Sequence, residues 1–94
     1  MLRAKLWGLQ RNACVALGNL RYPAAIPALS AAVSRNGDLH PLVREHAAWA
    51  LGQFNDQAAR QALERAWPGA HADPALGAAI ERALGGLDRV EGAA

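Results

Sequence analysis

Residues 12–33 read NACVALGNLRYPAAIPALSAAV, and residues 46–67 read HAAWALGQFNDQAARQALERAW. When the second stretch is laid over the first at a shift of 34, nine of the 22 positions are identical, and the triplet Ala-Leu-Gly falls in register at 16–18 and 50–52. A third, partial copy ends with the same triplet at 83–85. Self-similarity at a fixed period near 34 predicts stacked copies of one supersecondary unit, about two and a half of them in this chain.

Each copy is predicted to form two helices. In the first copy, apolar residues recur at three- and four-residue steps, which places them on one stripe of a helix. Tyr22-Pro23 ends this helix because a residue before proline is kept out of the α region, and a second helix is predicted over about 23–34. The predicted stripe of the first helix consists of Leu6, Leu9, Ala13, Ala16, Leu17 and Leu20.

The second copy carries the same signals. Asn36-Gly37-Asp38 is turn chemistry, and Pro41 suits the first turn of a third helix. That helix is apolar on more than one side, so we expect it to be sandwiched between neighbouring helices. A fourth helix is predicted over about 57–67, with Asn55-Asp56 as its cap.

The third copy supplies one more helix. Asp73 and the proline after it predict a fifth helix over about 74–84, and Gly85-Gly86 predicts its end. Residues 88–94 are predicted to be a disordered tail. We therefore expect one α-solenoid domain over residues 1–87. Its repeats are expected at about 2–37, 38–70 and, as a partial copy, 73–87.

The composition points to the same fold class. The 94 residues include 23 Ala and 13 Leu, but only four Val, two Ile and no Thr. Alanine and leucine favour helices, whereas strands favour the β-branched residues that are scarce here. The expected fold is therefore all-α, a short α-solenoid of five helices whose small residues let neighbouring helices approach closely.

The composition also excludes several classes of protein. One cysteine cannot build a disulfide framework, and no run of 18 apolar residues could span a membrane. Residues 1–10 lack the pattern of a signal peptide, so we expect a cytoplasmic protein. A chain of this size has little room for an enclosed active site.

The charges are unevenly distributed along the chain. Residues 1–37 hold five basic and no acidic residues, a net charge of +5, whereas residues 38–94 hold five basic and eight acidic residues, a net charge of −3. A basic part of this kind can hold a polyanion. Solvated arginines on helix surfaces would give the same pattern without binding anything.

Two stretches carry a resemblance to a known family. Residues 9–19, LQRNACVALGN, and residues 40–52, HPLVREHAAWALG, resemble the C-terminal tail of the epoxyqueuosine reductases. More broadly, most of the chain is similar to HEAT-like repeats of the phycobilisome-lyase type. The closer resemblance covers roughly residues 6–54.

The resemblance implies a place in tRNA modification. In that family the full enzyme reduces epoxyqueuosine in tRNA with cobalamin and two [4Fe–4S] clusters, and its helical-repeat tail helps hold the tRNA. A [4Fe–4S] cluster takes four thiolates, whereas this chain has only Cys14 and no cobalamin-domain sequence. We therefore expect no cofactor in this chain and no redox reaction by this chain alone.

The other candidate residues favour structural roles. Cys14 lies in an apolar stretch and is interpreted as a small buried hydrophobe. His40, His46 and His71 lack metal-ligand spacing. His46 is interpreted as a polar residue in a helix contact with a hydrogen bond to a carbonyl, and its neighbour Glu45 cannot face it on a helix.

The aromatic and basic residues leave two interpretations open. The three tryptophans could stack on bases, but their spacing favours packing, with Trp7 at the uncovered N-terminal end as the exception. Nine of the ten basic residues are arginines, whose planar fork of donors suits phosphate. The residues predicted to contact an RNA backbone are Lys5, Arg11, Arg21, Arg35 and Arg44.

Two functions remain at this point. The first is a non-catalytic module that binds tRNA, with the anticodon stem-loop as the expected partner. The alternative is a protein–protein interaction scaffold. In either case the first helix has no polar capping repeat before it, so we expect its exposed side to pack on a catalytic domain, a protein partner or a second copy in a homodimer. No membrane partner is expected.

Overall fold

The computed structural model describes residues 2–34 and 39–93, and these residues form helices and connecting turns without a strand. The five α-helices are α1 (Leu2–Leu20), α2 (Ile26–Ser34), α3 (Pro41–Leu51), α4 (Gln57–Ala66) and α5 (Pro74–Ala93). Short 3-10 helices cover Pro23–Ala25 before α2 and Pro68–Ala72 before α5. The all-α prediction is confirmed.

The helices form two layers. Helix α3 packs against α1 on one side and α5 on the other, so these three make the first layer. Helices α2 and α4 contact each other and make the second layer, with α2 also against α3 and α4 also against α5. This is the solenoid arrangement that the repeats predict, and it confirms that α3 is sandwiched between neighbours.

The ends of α1 and α3 show that the two copies fold alike. Helix α1 ends at Leu20, as the Tyr22-Pro23 signal predicts. The residue that follows, Arg21, has a φ of 52°, and Asn55, which is 34 positions later, has a φ of 48°. Both copies therefore turn from the first layer to the second through a residue in the left-handed region.

Side chains cap the starts of three helices. The Asp56 carboxylate accepts a hydrogen bond from the Ala58 amide at 2.7 Å, at the start of α4. The Asp73 carboxylate accepts from the Leu76 amide at 3.2 Å, at the start of α5. Both caps are predicted from the sequence. A third cap, which the sequence does not predict, is His40, whose Nδ1 accepts from the Leu42 amide at 3.1 Å.

A core of alanine and branched aliphatic side chains lies between the layers. No buried polar side chain occurs among the described residues. The fully buried large side chains are Val33, Val43, Leu51, Leu63, Leu76 and Ile80.

Glycine at one repeat position sets the helix spacing in the first layer. A Cβ added to Gly18 in α1 would lie 2.6 Å from Cζ3 of Trp49 and 3.0 Å from Cα of Ala50, both in α3. A Cβ added to Gly52, 34 positions later, would lie 2.9 Å from Cβ of Ala83 in α5. The repeated Ala-Leu-Gly triplet thus marks two places where adjacent helices approach closely.

The C-terminal part differs from its prediction. Helix α5 continues through Gly85-Gly86 to Ala93, so the predicted end at these glycines is wrong, and residues 88–93, predicted as a tail, are helical. Glycine lowers helix propensity by only about 1 kcal/mol relative to alanine. The buried Leu87 lies directly after both glycines and anchors the helix to the core. The predicted turn at residues 36–38 lies outside the described residues.

Candidate nucleic-acid interface

Two of the predicted RNA-binding residues belong to α1 and its end. Arg11 is partly buried, and its Nη2 donates to Oδ1 of Asn12 at 3.4 Å. Arg21 is exposed just beyond the C-terminus of α1, and its backbone N–H donates to the Leu17 carbonyl at 3.0 Å. Ten residues separate them, about 15 Å along the helix axis, so Arg11 lies at the middle of α1 and Arg21 at its C-terminal end.

Arg44 has a structural contact. It is half-buried, and its Nη2 donates to the carbonyl of Val33 in the last turn of α2, at 3.2 Å. A cation at the C-terminus of a helix satisfies an orphan carbonyl and interacts favourably with the helix dipole. This guanidinium therefore joins α3 to the end of α2.

The other two predicted RNA-binding residues are Lys5 and Arg35. Lys5 is the fourth residue of α1, so it belongs to the same helix as Arg11. Arg35 lies outside the described residues. The structure thus brings Lys5 and Arg11 onto one helix and places Arg21 at its far end, and RNA binding by all five residues stays a prediction.

A groove runs across the exposed face of the first layer, and sequence reasoning missed it. Its volume is about 490 Å³. Val15 of α1, Trp49 of α3 and Arg82 of α5 line it, and these are equivalent positions in the three copies at shifts of 34 and 33. The repeat register relates these three positions, but it does not show that they share an exposed face. The other residues that line the groove are Glu45, His46, Gly52, Gln53, Ala79, Ala83 and Gly86.

Trp49 both packs and faces the groove. Its ring lies against α1 at Gly18, and its side chain remains 38% exposed. Arg11 lies one helical turn before Val15, so it shares the groove face of α1. Arg82 is exposed on the opposite side of the groove. The face therefore combines a partly exposed indole ring with an arginine on each flanking helix.

Cys14 and Trp67 have the structural roles predicted for them, whereas His46 makes the predicted hydrogen bond to a carbonyl within its own helix and lines the groove. The half-buried His46 has its Nδ1 2.7 Å from the Leu42 carbonyl one turn earlier in α3; a carbonyl can only accept, so Nδ1 donates. Cys14 is buried, and this burial raises the pKa of its thiol. Trp67 packs against the core.

The described part of the chain holds neither a metal-binding group nor a membrane-spanning helix. No three His, Cys, Asp or Glu side chains in it come together as a metal-binding group. Within residues 2–34 and 39–93, no helix combines the length and apolar character that a membrane crossing requires.

Comparison with known proteins identifies the class. The family model for HEAT repeats matches residues 1–91, so the chain belongs to the HEAT-repeat family. Over 58 residues, 62% of this chain, it is 38% identical to the epoxyqueuosine reductase of Bacillus subtilis (strain 168). The match covers 14% of that enzyme's length. The resemblance to this part of a reductase is thereby confirmed, and no solved structure matches the chain.

Proposed function

We propose that this chain is a non-catalytic HEAT-repeat module that binds tRNA. The similarity to a region of epoxyqueuosine reductase carries the proposal, because the family resemblance given above implies a helical-repeat tail that helps hold the tRNA. The net charge of +5 in residues 1–37 supports it, since phosphate contacts supply most of the affinity of proteins for nucleic acid. The reductase activity itself is not assigned to this chain.

The groove face of the first layer is the surface that we propose for RNA. Arg11 and Arg82 on its flanking helices suit contacts with phosphates, and the exposed part of the Trp49 ring can stack on an unpaired base. Glu45 in the same groove would repel phosphate but can accept a hydrogen bond from a base. This combination favours a single-stranded loop over a duplex.

The first experiment is a titration of the chain with an anticodon stem-loop of a queuosine-type tRNA at several salt concentrations. We expect micromolar binding, with the logarithm of the affinity falling by about 0.7–0.9 per phosphate contact for each tenfold rise in salt. An unrelated stem-loop is measured beside it. The alternative function, a protein–protein scaffold, predicts no RNA binding even at low salt.

Arg11→Ala tests the groove face, Arg21→Gly tests a predicted contact at the end of α1, and Arg65→Ala is the control. Arg11→Ala should weaken binding several-fold and reduce the salt slope by about 1. Arg21→Gly removes another predicted contact at a residue with positive φ, where glycine relieves backbone strain, so we expect the stability of the fold to be kept. Arg65→Ala is the matched control, because Arg65 is exposed on α4 in the second layer. Equal losses for Arg11→Ala and Arg65→Ala would contradict the proposed surface.

A further inference from the structure

Helix α1 has an exposed apolar stripe on the side that faces away from α3. Leu6, Leu9 and Leu20 are 56%, 68% and 74% exposed, and Ala13 and Ala16 between them are exposed as well. The spacing is 3-4-3-4, which keeps all five side chains on one face of the helix. We call these five residues the α1 stripe. A continuous apolar face of this kind marks an interaction site.

The repeat register shows what belongs on this face. At a shift of 34, Leu9, Ala13 and Ala16 correspond to Val43, Ala47 and Ala50 of α3. These three α3 residues are at most 1% exposed. The same face of the first-layer helix is thus covered in the second copy and bare in the first.

The structure also shows how the covering is made in the second copy. Gly18 of α1 lies directly against Ala50, and the Sγ of Cys14 is 4.0 Å from the Val43 carbonyl. The second helix of the same hairpin, α2, also packs against α3. A helical hairpin with small residues on its contacting face therefore covers these positions in α3.

Charge indicates which hairpin can cover the α1 stripe. Residues 2–20 contain Arg3, Lys5 and Arg11 and no acidic residue. Two copies of α1 packed face to face would bring together two helices that each carry basic and no acidic residues, which disfavours a symmetric pair. An occupant with acidic side chains beside its contact face has complementary charge.

We propose that the α1 stripe is the docking surface for a HEAT-like helical hairpin of a partner, one that has small residues on its contacting face and acidic residues beside them. The hairpin takes the place on α1 that α1 and α2 take on α3. This inference does not depend on RNA binding, because the α1 stripe lies on a different face of α1 from Arg11 and Val15.

The test uses a hairpin of known sequence as the probe. A duplicate of residues 36–69, which contains four acidic and three basic residues, is fused directly before Leu2, so that the 34-residue spacing is kept and its Gly52 equivalent faces Ala16. We expect one cooperative unfolding transition and a melting temperature about 5 °C or more above that of the unfused chain.

Ala16→Glu completes the experiment as a double-mutant cycle. In the unfused chain this exposed position should tolerate glutamate, with a shift in melting temperature under about 2 °C. In the fusion, Ala16→Glu should remove most of the rise in melting temperature. Asn19→Glu is the matched control, because Asn19 corresponds to Gln53, which lines the groove on another face.

Two outcomes would overturn the proposal. One is a fused hairpin that melts in a separate transition, with a melting temperature that Ala16→Glu does not change. The other is self-association of the unfused chain in sedimentation experiments that Ala16→Glu abolishes, since the α1 stripe would then be an interface between two copies.

Discussion

A single glycine position controls how closely the first-layer helices pack. Gly18, Gly52 and Gly85 occupy that position in the three copies, and only the first two have a neighbour within 4 Å of an added Cβ. Gly18 meets a tryptophan ring edge and the backbone of Ala50, whereas Gly52 meets the Cβ and Cα of Ala83. Glycine is thus required by close approach at two of three equivalent places.

Alanine should therefore lower the stability at two of these positions and raise it at the third. We expect Gly18→Ala and Gly52→Ala each to lower the free energy of unfolding by about 1–3 kcal/mol, because the added methyl overpacks a helix contact. Gly85→Ala should raise it by about 0.5–1 kcal/mol through helix propensity. Urea unfolding of the three variants measures this, and uniform stabilisation would show that the close approach is absent.

Arg44 illustrates how a structural residue can be taken for a binding residue. Its side chain carries the charge that suits phosphate, but the guanidinium donates to the last turn of α2. The sequence could not show this contact, because it depends on how α2 and α3 pack. Arg21 and Arg11 are the better tests of RNA binding.

Arg44→Met should separate these roles. The variant keeps an aliphatic side chain but loses the donor to Val33, so we expect the free energy of unfolding to fall by about 1 kcal/mol. RNA affinity is measured at a temperature where the variant is fully folded. A stability equal to that of the unsubstituted chain would contradict the capping role.

The helix ends could be predicted from the sequence, except at Gly85-Gly86. Tyr22-Pro23, Asp56 and Asp73 act locally, so their effects on helix ends are visible in the sequence. Gly85-Gly86 gives the same local signal as a helix end. The helix continues past these glycines because Leu87 is buried against the core. This is a tertiary contact, which a local sequence pattern does not contain.

Leu87→Ala tests whether α5 continues past Gly85-Gly86. Leu87 is 3% exposed, so its truncation should lower the free energy of unfolding by about 2–4 kcal/mol and reduce the helical circular dichroism signal at the midpoint of thermal unfolding. If α5 ended at the glycines, the substitution would lie beyond the fold and have almost no effect.

At the scale of the whole molecule, the stacking of α1 on α3 buries the Cys14 thiol and raises its pKa above the ordinary value of 9.0. The folded state thus favours the neutral thiol. Its contribution to stability is complete below about pH 9 and is lost as the pH rises through the raised folded pKa. We expect urea unfolding to show a decline in stability above pH 9 that Cys14→Ala reduces. An identical decline in both proteins would show that Cys14 is not responsible.

The candidate site was less predictable than the fold. The repeat pattern is enough to place α1, α3 and α5 side by side, because repeated copies stack on their neighbours to bury apolar surface. The groove requires in addition the rotation of each helix about its axis, which brings Val15, Trp49 and Arg82 to one face. Charge counts pointed instead to basic residues in the N-terminal part of the chain, and Arg44, which was predicted with them, has a structural contact.

The packing of α1 has a consequence for its motion. Its main contact is with α3 alone, whereas α3 is held on three sides, so α1 should open as a unit and exchange its amide hydrogens fastest among the helices. A hairpin on the α1 stripe and an RNA at Arg11 would each favour the closed position of this one helix. Each ligand would then tighten the binding of the other by the same factor, without any contact between them.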